Sequence, residues 1–308
     1  MDLLAIGGIS LDHIFRVDRL PERHFEGIIQ GYGTYYGGRA PNVAAMAAKL
    51  GLHTGIVSPV GDDFGTSGYE EHLQTLGVDL RGVVHIAGEK TKQILLFTDR
   101  TGQQITFFYY GAESHFRDMQ VPETLIAESR LVHISSSGDY KFNIRCAECA
   151  RAKGIPVSFD VGNDPFTEIP EYLKGLIPCT AYLFMNDVEV AGVLERLEIH
   201  TIHDLLDHGP TTITIINKRD KTSQIYTRDF TYRIPSAIGT ANDPTGASDG
   251  YVAAFLTAVL RGYDLETAGK LGSCETSFIV EQAGCQTNLP DWSQLCGRCR
   301  ELLGTRLQ

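Results

Sequence analysis

Leu131-Val132-His133-Ile134-Ser135 is a short, mostly apolar run, and three comparable runs follow it: Pro156 to Asp160, Ala181 to Met185 and Thr212 to Ile216. A helical segment opens at Asn143 between the first two, and another at Asp187 between the last two. Strands alternating with helices predict parallel neighbours joined by crossover helices, because a parallel strand can only be reached by carrying the chain back across the sheet. The expected fold is therefore a doubly wound, mostly parallel α/β sheet flanked by helices.

Toward the amino terminus, Leu3 to Gly8 is an apolar run ending in glycines, which marks a buried parallel strand with a functional loop at its carboxyl end. After Gly37-Gly38, the Ala-rich stretch Pro41 to Leu50 has Pro early and Gly51 late, the asymmetry of a helix, and Gly55 to Val60 reads as the next strand. The segments Phe15 to Val17 and Ile28 to Tyr32, broken by Pro21, look like small strands outside the main sheet. Ile94 to Thr98 and Gln104 to Tyr110, joined by Asp99-Arg100-Thr101-Gly102, form a β-hairpin with an aromatic second arm. Together these predict a small accessory sheet from about residues 13–36 and 91–112. Toward the carboxyl terminus come a hairpin-like stretch, Ser223 to Ile234, and two long helices, Ala247 to Leu260 and Leu265 to Glu281. Neither a repeat nor a Pro/Ser-rich linker divides the chain, so residues 1–308 are expected to form a single domain.

Of the 308 residues, 43 % are apolar, enough for a substantial core, and the net charge of −11 argues against a nucleic-acid binder, which needs surplus Lys and Arg. No apolar run approaches the roughly 20 residues that span a bilayer, and the start lacks a secretory pattern, so no membrane association and a cytoplasmic location are expected. Two of the seven cysteines' spacings, Cys146/Cys149 and Cys296/Cys299, read as Cys-x-x-Cys. A zinc site is one reading. Reduced thiols on one face of a helix is the other, and the half-chain separation of the pairs favours it.

Chemistry concentrates in Asp243-Pro244-Thr245-Gly246-Ala247-Ser248-Asp249-Gly250, directly before a helical run. Small residues at a helix start leave backbone N–H groups and the helix dipole open to phosphate oxygens. An acid in a first helical turn also has a plain capping explanation. No Gly-x-x-x-x-Gly-Lys-Ser/Thr loop is present, which excludes a P-loop enzyme.

Asp243 to Asp249 resembles the carboxyl-terminal Asp-Thr-x-Gly-Ala-Gly-Asp motif of the ribokinase (PfkB) family of carbohydrate and nucleoside kinases. Further matches follow in family order: Gly7-Gly8 with Asp12, Gly37-Gly38 with Asn42, Gly61 to Gly65, and Asn186 with Glu189. Gln104 to Phe108, Phe184 to Glu189 and Gly284 to Pro290 are most similar to archaeal-type nucleoside kinases. The resemblance implies transfer of the γ-phosphoryl group of ATP to a primary hydroxyl of a ribose-containing substrate, with Mg2+ and with a monovalent cation as a further candidate. A free-sugar or sugar-phosphate kinase, or a binding protein that has lost catalysis, is the alternative.

Under that resemblance Asp249 is the base, and the amides of Gly246, Ala247 and Ser248 stabilise the transferring group. Asp12, Gly37, Gly38, Asn42 and Phe108 hold the acceptor. Asn186, Lys218, Thr245, Gly246 and Ser277 contact the nucleotide, and Asn186, Glu189 and Asp160 address Mg2+ mainly through water, although an Asn cap with an acidic first turn also explains Asn186 and Glu189. The accessory sheet resembles the family's lid, which closes over substrate and often mediates dimers, so a homodimer through the lid is a candidate. Two departures stand out. Ser248 replaces the family's glycine, and Lys218-Arg219-Asp220-Lys221 replaces a Gly-x-x-Gly loop, so this loop is either a solvated turn or meets phosphate through Lys218 or Lys221.

Overall fold

The computed structural model describes residues 1–136, 138–162, 169–217, 219–239 and 241–304. Its strands are β1 (Leu3–Ile6), β2 (Ser10–Val17), β3 (Ile29–Gly37), β4 (Thr54–Val60), β5 (Asp79–His85), β6 (Lys92–Thr98), β7 (Gln104–Tyr109), β8 (Leu131–Ser135), β9 (Val157–Asp160), β10 (Tyr182–Asn186), β11 (Thr212–Ile216), β12 (Ser223–Tyr226) and β13 (Thr231–Ile234). They divide into a nine-stranded sheet of order β13-β12-β11-β10-β9-β8-β1-β4-β5 and a four-stranded sheet of order β3-β2-β6-β7.

From β11 across to β5 every pairing in the large sheet is parallel, and only the hairpin β12–β13 runs antiparallel, at one edge. The expected doubly wound α/β architecture is observed. Between β8 and β4, β1 is wholly buried, with Leu3 in register with Thr54 on one side and Leu131 on the other. Burial on both faces explains why these strands read as continuous apolar runs. The helix Ala247–Leu260 is apolar around most of its circumference and accordingly lies inside, against the helices Arg39–Lys49 and Leu265–Ile279. Removing a fully buried ring such as Phe255 from that packing costs about 3–5 kcal/mol.

Local chemistry sets several boundaries. The helix Tyr140–Ala152 starts three residues before Asn143, because Asp139 caps it by accepting from the Phe142 N–H at 2.9 Å. Leu265–Ile279 ends short of Glu281. The edge strand β5 and the short helices Asp63–Thr66, Tyr69–Thr75, Pro170–Leu176 and Ile202–Asp207 have no counterpart in the sequence reading, since segments of four to seven residues span too few turns to show a period.

The small sheet is built from the strands anticipated near residues 14–36 and from the aromatic hairpin, whose turn is closed by Asp99 Oδ1 accepting from the N–H groups of Thr101 and Gln103. Its strand β2 begins at Ser10, so Asp12 is a strand residue. All seven cysteines are free thiols, and the two Cys-x-x-Cys pairs pack in different apolar clusters.

Candidate active site

The helix Ala247–Leu260 starts from Gly246, whose φ of 78° suits glycine, and Asp249 is its third residue. The turn before it is fastened by Asp243: Oδ1 accepts from the N–H and hydroxyl of Thr245, and Oδ2 from the N–H of Gly284 at 3.1 Å. The Ala247 N–H lies 3.3 Å from the Pro244 carbonyl, so part of the expected anion hole closes its own turn.

Asp249 is buried, and Asn42 Nδ2 donates to its Oδ2 at 2.7 Å. The other face of that carboxamide, Oδ1, accepts from Gln286 Nε2 at 2.8 Å. Gln286 also donates to the Tyr69 hydroxyl at 2.7 Å, which itself donates to the Gly37 carbonyl at 2.9 Å. Asp12 is oriented by the Ser10 hydroxyl, which donates to Oδ1 at 2.7 Å. Gly37 backs Asp12 so closely that a Cβ there would stand 2.2 Å from its Oδ2. Burial pushes the Asp249 carboxyl up to about 7 and Asp12 to about 6; for Asp249 the neighbouring Asp160 and Asp12 raise it further, while Asn42 and Arg39 oppose the rise.

Asp12, Gly38, Asn42, Phe108 and Asp249 line one cavity of about 350 Å³, together with Thr245, Gly246 and Ser248. Phe108 is 50 % exposed and forms part of the wall from the small sheet. Sequence reasoning missed Lys92 in this wall. Its ammonium sits 5.6 Å from the Phe108 ring centroid and pairs at 2.6 Å with buried Glu113, whose Oε1 accepts from the Gly138 N–H.

A second cavity of about 350 Å³ is lined by Asp160, Asn186, Glu189, Lys221, Tyr251 and Thr276, and Ser248 and Arg39 line both cavities. Asn186 and Glu189 form a reciprocal capping box at the start of the helix Asp187–Leu197, so the plain structural reading of this pair is realised, while both still face the cavity. Among the described residues no three His, Cys, Asp or Glu side chains converge as a metal cage. The oxygen donors of Asp160, Asn186 and Glu189 along one wall do fit a hydrated divalent cation.

Of the nucleotide-side candidates, Thr245 and Gly246 line the first cavity and Asn186 the second. Ser277 is turned away, donating to the Cys274 carbonyl at 2.7 Å and accepting from Arg298, and its neighbour Thr276 faces the cavity instead. Lys218 lies outside the described residues. Lys221, where the family has its second glycine, takes up the left-handed φ of 58° that a glycine would adopt, held by its N–H donating to the Asn217 carbonyl at 3.0 Å, and it reaches the cavity.

Comparison with known proteins agrees with this arrangement. The model of the pfkB family of carbohydrate kinases matches residues 1–292. A nucleoside kinase of Methanothermobacter thermautotrophicus is 38 % identical over 297 residues, 96 % of this chain and 95 % of that protein. One from Methanocaldococcus jannaschii is 39 % identical over 299 residues, 96 % of each. The crystal structure of the Methanocaldococcus jannaschii nucleoside kinase, an archaeal member of the ribokinase family, superimposes with a TM-score of 0.91 over 97 % of this chain and 98 % of that one, at 38 % identity. A Burkholderia thailandensis nucleoside kinase in complex with inosine shares the fold, with a TM-score of 0.85 at 22 % identity over 99 % of each chain. A match along nearly the whole chain, spanning the strands and helices that build both cavities, makes this chain a member of the pfkB family of carbohydrate kinases.

Proposed function

We propose that this chain is a nucleoside kinase that transfers the γ-phosphoryl group of ATP to the primary hydroxyl of a nucleoside such as inosine. The observation that carries the reading is Asp249: a buried carboxylate with its acidity tuned to about 7, in the wall of one cavity and one residue from Ser248, which lines both. A base with that acidity is ionised for a useful fraction of the time at neutral pH yet still accepts a proton readily. In the reaction, the acceptor hydroxyl gives its proton to Asp249 and its oxygen forms the new bond to the γ-phosphorus. The bond from that phosphorus to the β–γ bridging oxygen breaks, and ADP leaves with the electron pair.

The chain's own residues account for the remaining requirements. Asp12 and Asn42 offer an acceptor and a mixed donor/acceptor to a vicinal diol, with Gly38 admitting the ligand close to the backbone and Gly37 leaving room for Asp12. The small sheet, through Phe108, acts as a lid whose aromatic face suits a nucleobase. Its exposed Ile29, Tyr32, Phe107 and Tyr109 suit pairing of two lids in a homodimer. Amides at Gly246 and Ser248 donate to phosphate, and Thr276 and Lys221 border the nucleotide. Asp160, Asn186 and Glu189 would hold Mg2+ through water, and the ion supplies charge neutralisation along the phosphates. Lys92 alone would invite a phosphorylated sugar, but Glu113 at 2.6 Å neutralises it, which favours an uncharged acceptor.

The test is ADP release and product formation with ATP and Mg2+ across inosine, guanosine, cytidine, adenosine, ribose, fructose and fructose 6-phosphate, using Asp249→Asn as control. Turnover on nucleosides that depends on Asp249 is expected. Turnover restricted to a sugar or sugar phosphate would replace the acceptor, and ligand binding without any turnover would leave a binding protein.

A further inference from the structure

A chain of hydrogen bonds leads from Asp249 out to His72, a half-buried residue of the helix Tyr69–Thr75 that lines neither cavity. Its links are Asn42 to Asp249 at 2.7 Å, Gln286 to Asn42 at 2.8 Å, and His72 Nε2 to Gln286 Oε1 at 3.0 Å. Asn42 and Gln286 are buried, so each link left unmade carries a desolvation cost.

The chemistry at Asp249 fixes the direction of every link. An ionised carboxylate only accepts, so Asn42 must turn its amide nitrogen to Asp249 and its carbonyl oxygen to Gln286. Gln286 then presents its nitrogen, whose two N–H groups go to Asn42 Oδ1 and the Tyr69 hydroxyl. Its oxygen faces His72, which has to supply a proton from Nε2. Tyr69 favours the same direction while its own proton goes to the Gly37 carbonyl, but a hydroxyl can turn to serve either face of a carboxamide. Imidazole offers Nε2–H in its charged form and in one of its two neutral tautomers. Burial draws His72 below its usual range, while the bond to Gln286 opposes the fall, so the ring is neutral at pH 7. Tyr36 and Tyr69 hold the ring in place, with centroids 4.8 Å and 6.3 Å away.

Reversing the chain has a chemical consequence. If Gln286 turns over, Asn42 turns with it, and a carbonyl oxygen meets Asp249 Oδ2, an arrangement that suits only a protonated carboxyl. We propose that His72 is a positioning residue, whose Nε2–H holds Gln286 and Asn42 in the direction that keeps Asp249 ionised and Asn42 correctly presented to the acceptor. The inference rests on the nucleoside kinase reading and reaches a residue outside every motif quoted for this chain.

The experiment uses the full chain with His72→Phe, which keeps a ring against Tyr36 but removes the donor, and His72→Gln, which keeps an N–H donor. Steady-state kcat and the KM values for inosine and ATP are measured against pH. Ring-nitrogen NMR shifts of His72 in the wild-type protein report which nitrogen carries the proton. Above about pH 7, where Asp249 is ionised, that nitrogen is expected to be Nε2. His72→Phe should move the acid limb of kcat upward by about 0.5–1 pH unit, the size of one net hydrogen bond. It should also raise the inosine KM by about three- to tenfold while the ATP KM stays within about twofold. His72→Gln should recover most of both changes. Asp12, Asp160, Arg39 and the neutral Cys285 thiol, which also face Asp249, are the same in every variant, so the shift reports the chain alone.

The proposal is overturned if wild-type His72 carries its proton on Nδ1 alone, or if His72→Phe leaves the acid limb and the inosine KM in place. It also falls if His72→Gln is as impaired as His72→Phe, or if both KM values rise together. Should His72→Phe not fold, the ring-nitrogen shifts and His72→Gln decide the matter. Wild-type protein that turns over no nucleoside overturns the kinase reading and this inference with it, whereas wild-type turnover with an unshifted His72→Phe profile removes His72 alone.

Discussion

Asn42 donates from its Nδ2 to Asp249 Oδ2 at 2.7 Å, joining the starts of two helices 207 residues apart in the chain. Gln286 fixes the other end of the same carboxamide, so the direction in which Asn42 points is decided by two partners at once. A carboxylate held this way keeps one oxygen engaged and the other available to an incoming hydroxyl.

Replacing Asp249 by Asn removes the proton acceptor while preserving shape. Turnover is expected to fall by about 10²–10⁴, the range for loss of a positioned base, with nucleoside affinity within a few-fold of wild type. Single-turnover kinetics and calorimetry check the two halves separately, and near-normal turnover would remove Asp249 from its role.

The pH dependence follows from the same group. Because Asp249 acts ionised and burial has pushed it up to about 7, kcat should fall tenfold per unit below that pH and level off above about 8. Asp12 is a negative neighbour that makes ionisation of Asp249 harder. Asp12→Asn, measured at saturating acceptor, should therefore move the acid limb to lower pH, and a limb that stays in place would show that the two carboxylates do not communicate.

Gln286→Glu is close to isosteric but turns a donor into an acceptor. Asn42 must then rotate to offer Nδ2 to residue 286, which presents its carbonyl oxygen to Asp249 in place of a donor. A loss of roughly tenfold or more in kcat/KM is expected, against a stability change of about 1–3 kcal/mol from the disturbed buried network. Unchanged kcat/KM in a folded variant would mean that Gln286 serves packing alone.

Glu275, in the helix Leu265–Ile279, is fully buried, and among the described residues neither carboxylate oxygen has a hydrogen-bond partner. Burial holds its folded-state acidity well above the ordinary value of 4.5, so folding is opposed above the unfolded pKa and the penalty fades as pH falls toward it. Glu275→Met should raise stability by about 1–3 kcal/mol at neutral pH, and the gain should shrink near pH 4.5. Denaturant titrations at the two pH values check this, and a destabilised variant at pH 7 would contradict it.

Much of this protein was legible before any coordinates. The parallel sheet follows from apolar runs spaced by helices, and the helix Ala247–Leu260 was readable to the residue because small residues and an acid mark its start and its composition forbids exposure. Motifs carried Asp12, Asn42, Asn186, Glu189 and Asp249 as candidates, because short-range spacing is what a turn or a helix start requires. Which side chain of a helix faces a cavity is harder: Thr276 and Ser277 are chemically alike, and only the packing of their helix decides that the first faces the cavity and the second faces Arg298. The tie between Asn42 and Asp249 and the role of Gln286 behind it were set by tertiary structure alone. Local spacing governs backbone conformation within a few residues, whereas these contacts join chain segments more than a hundred residues apart and exist only once the sheet has closed and brought its loops to one edge.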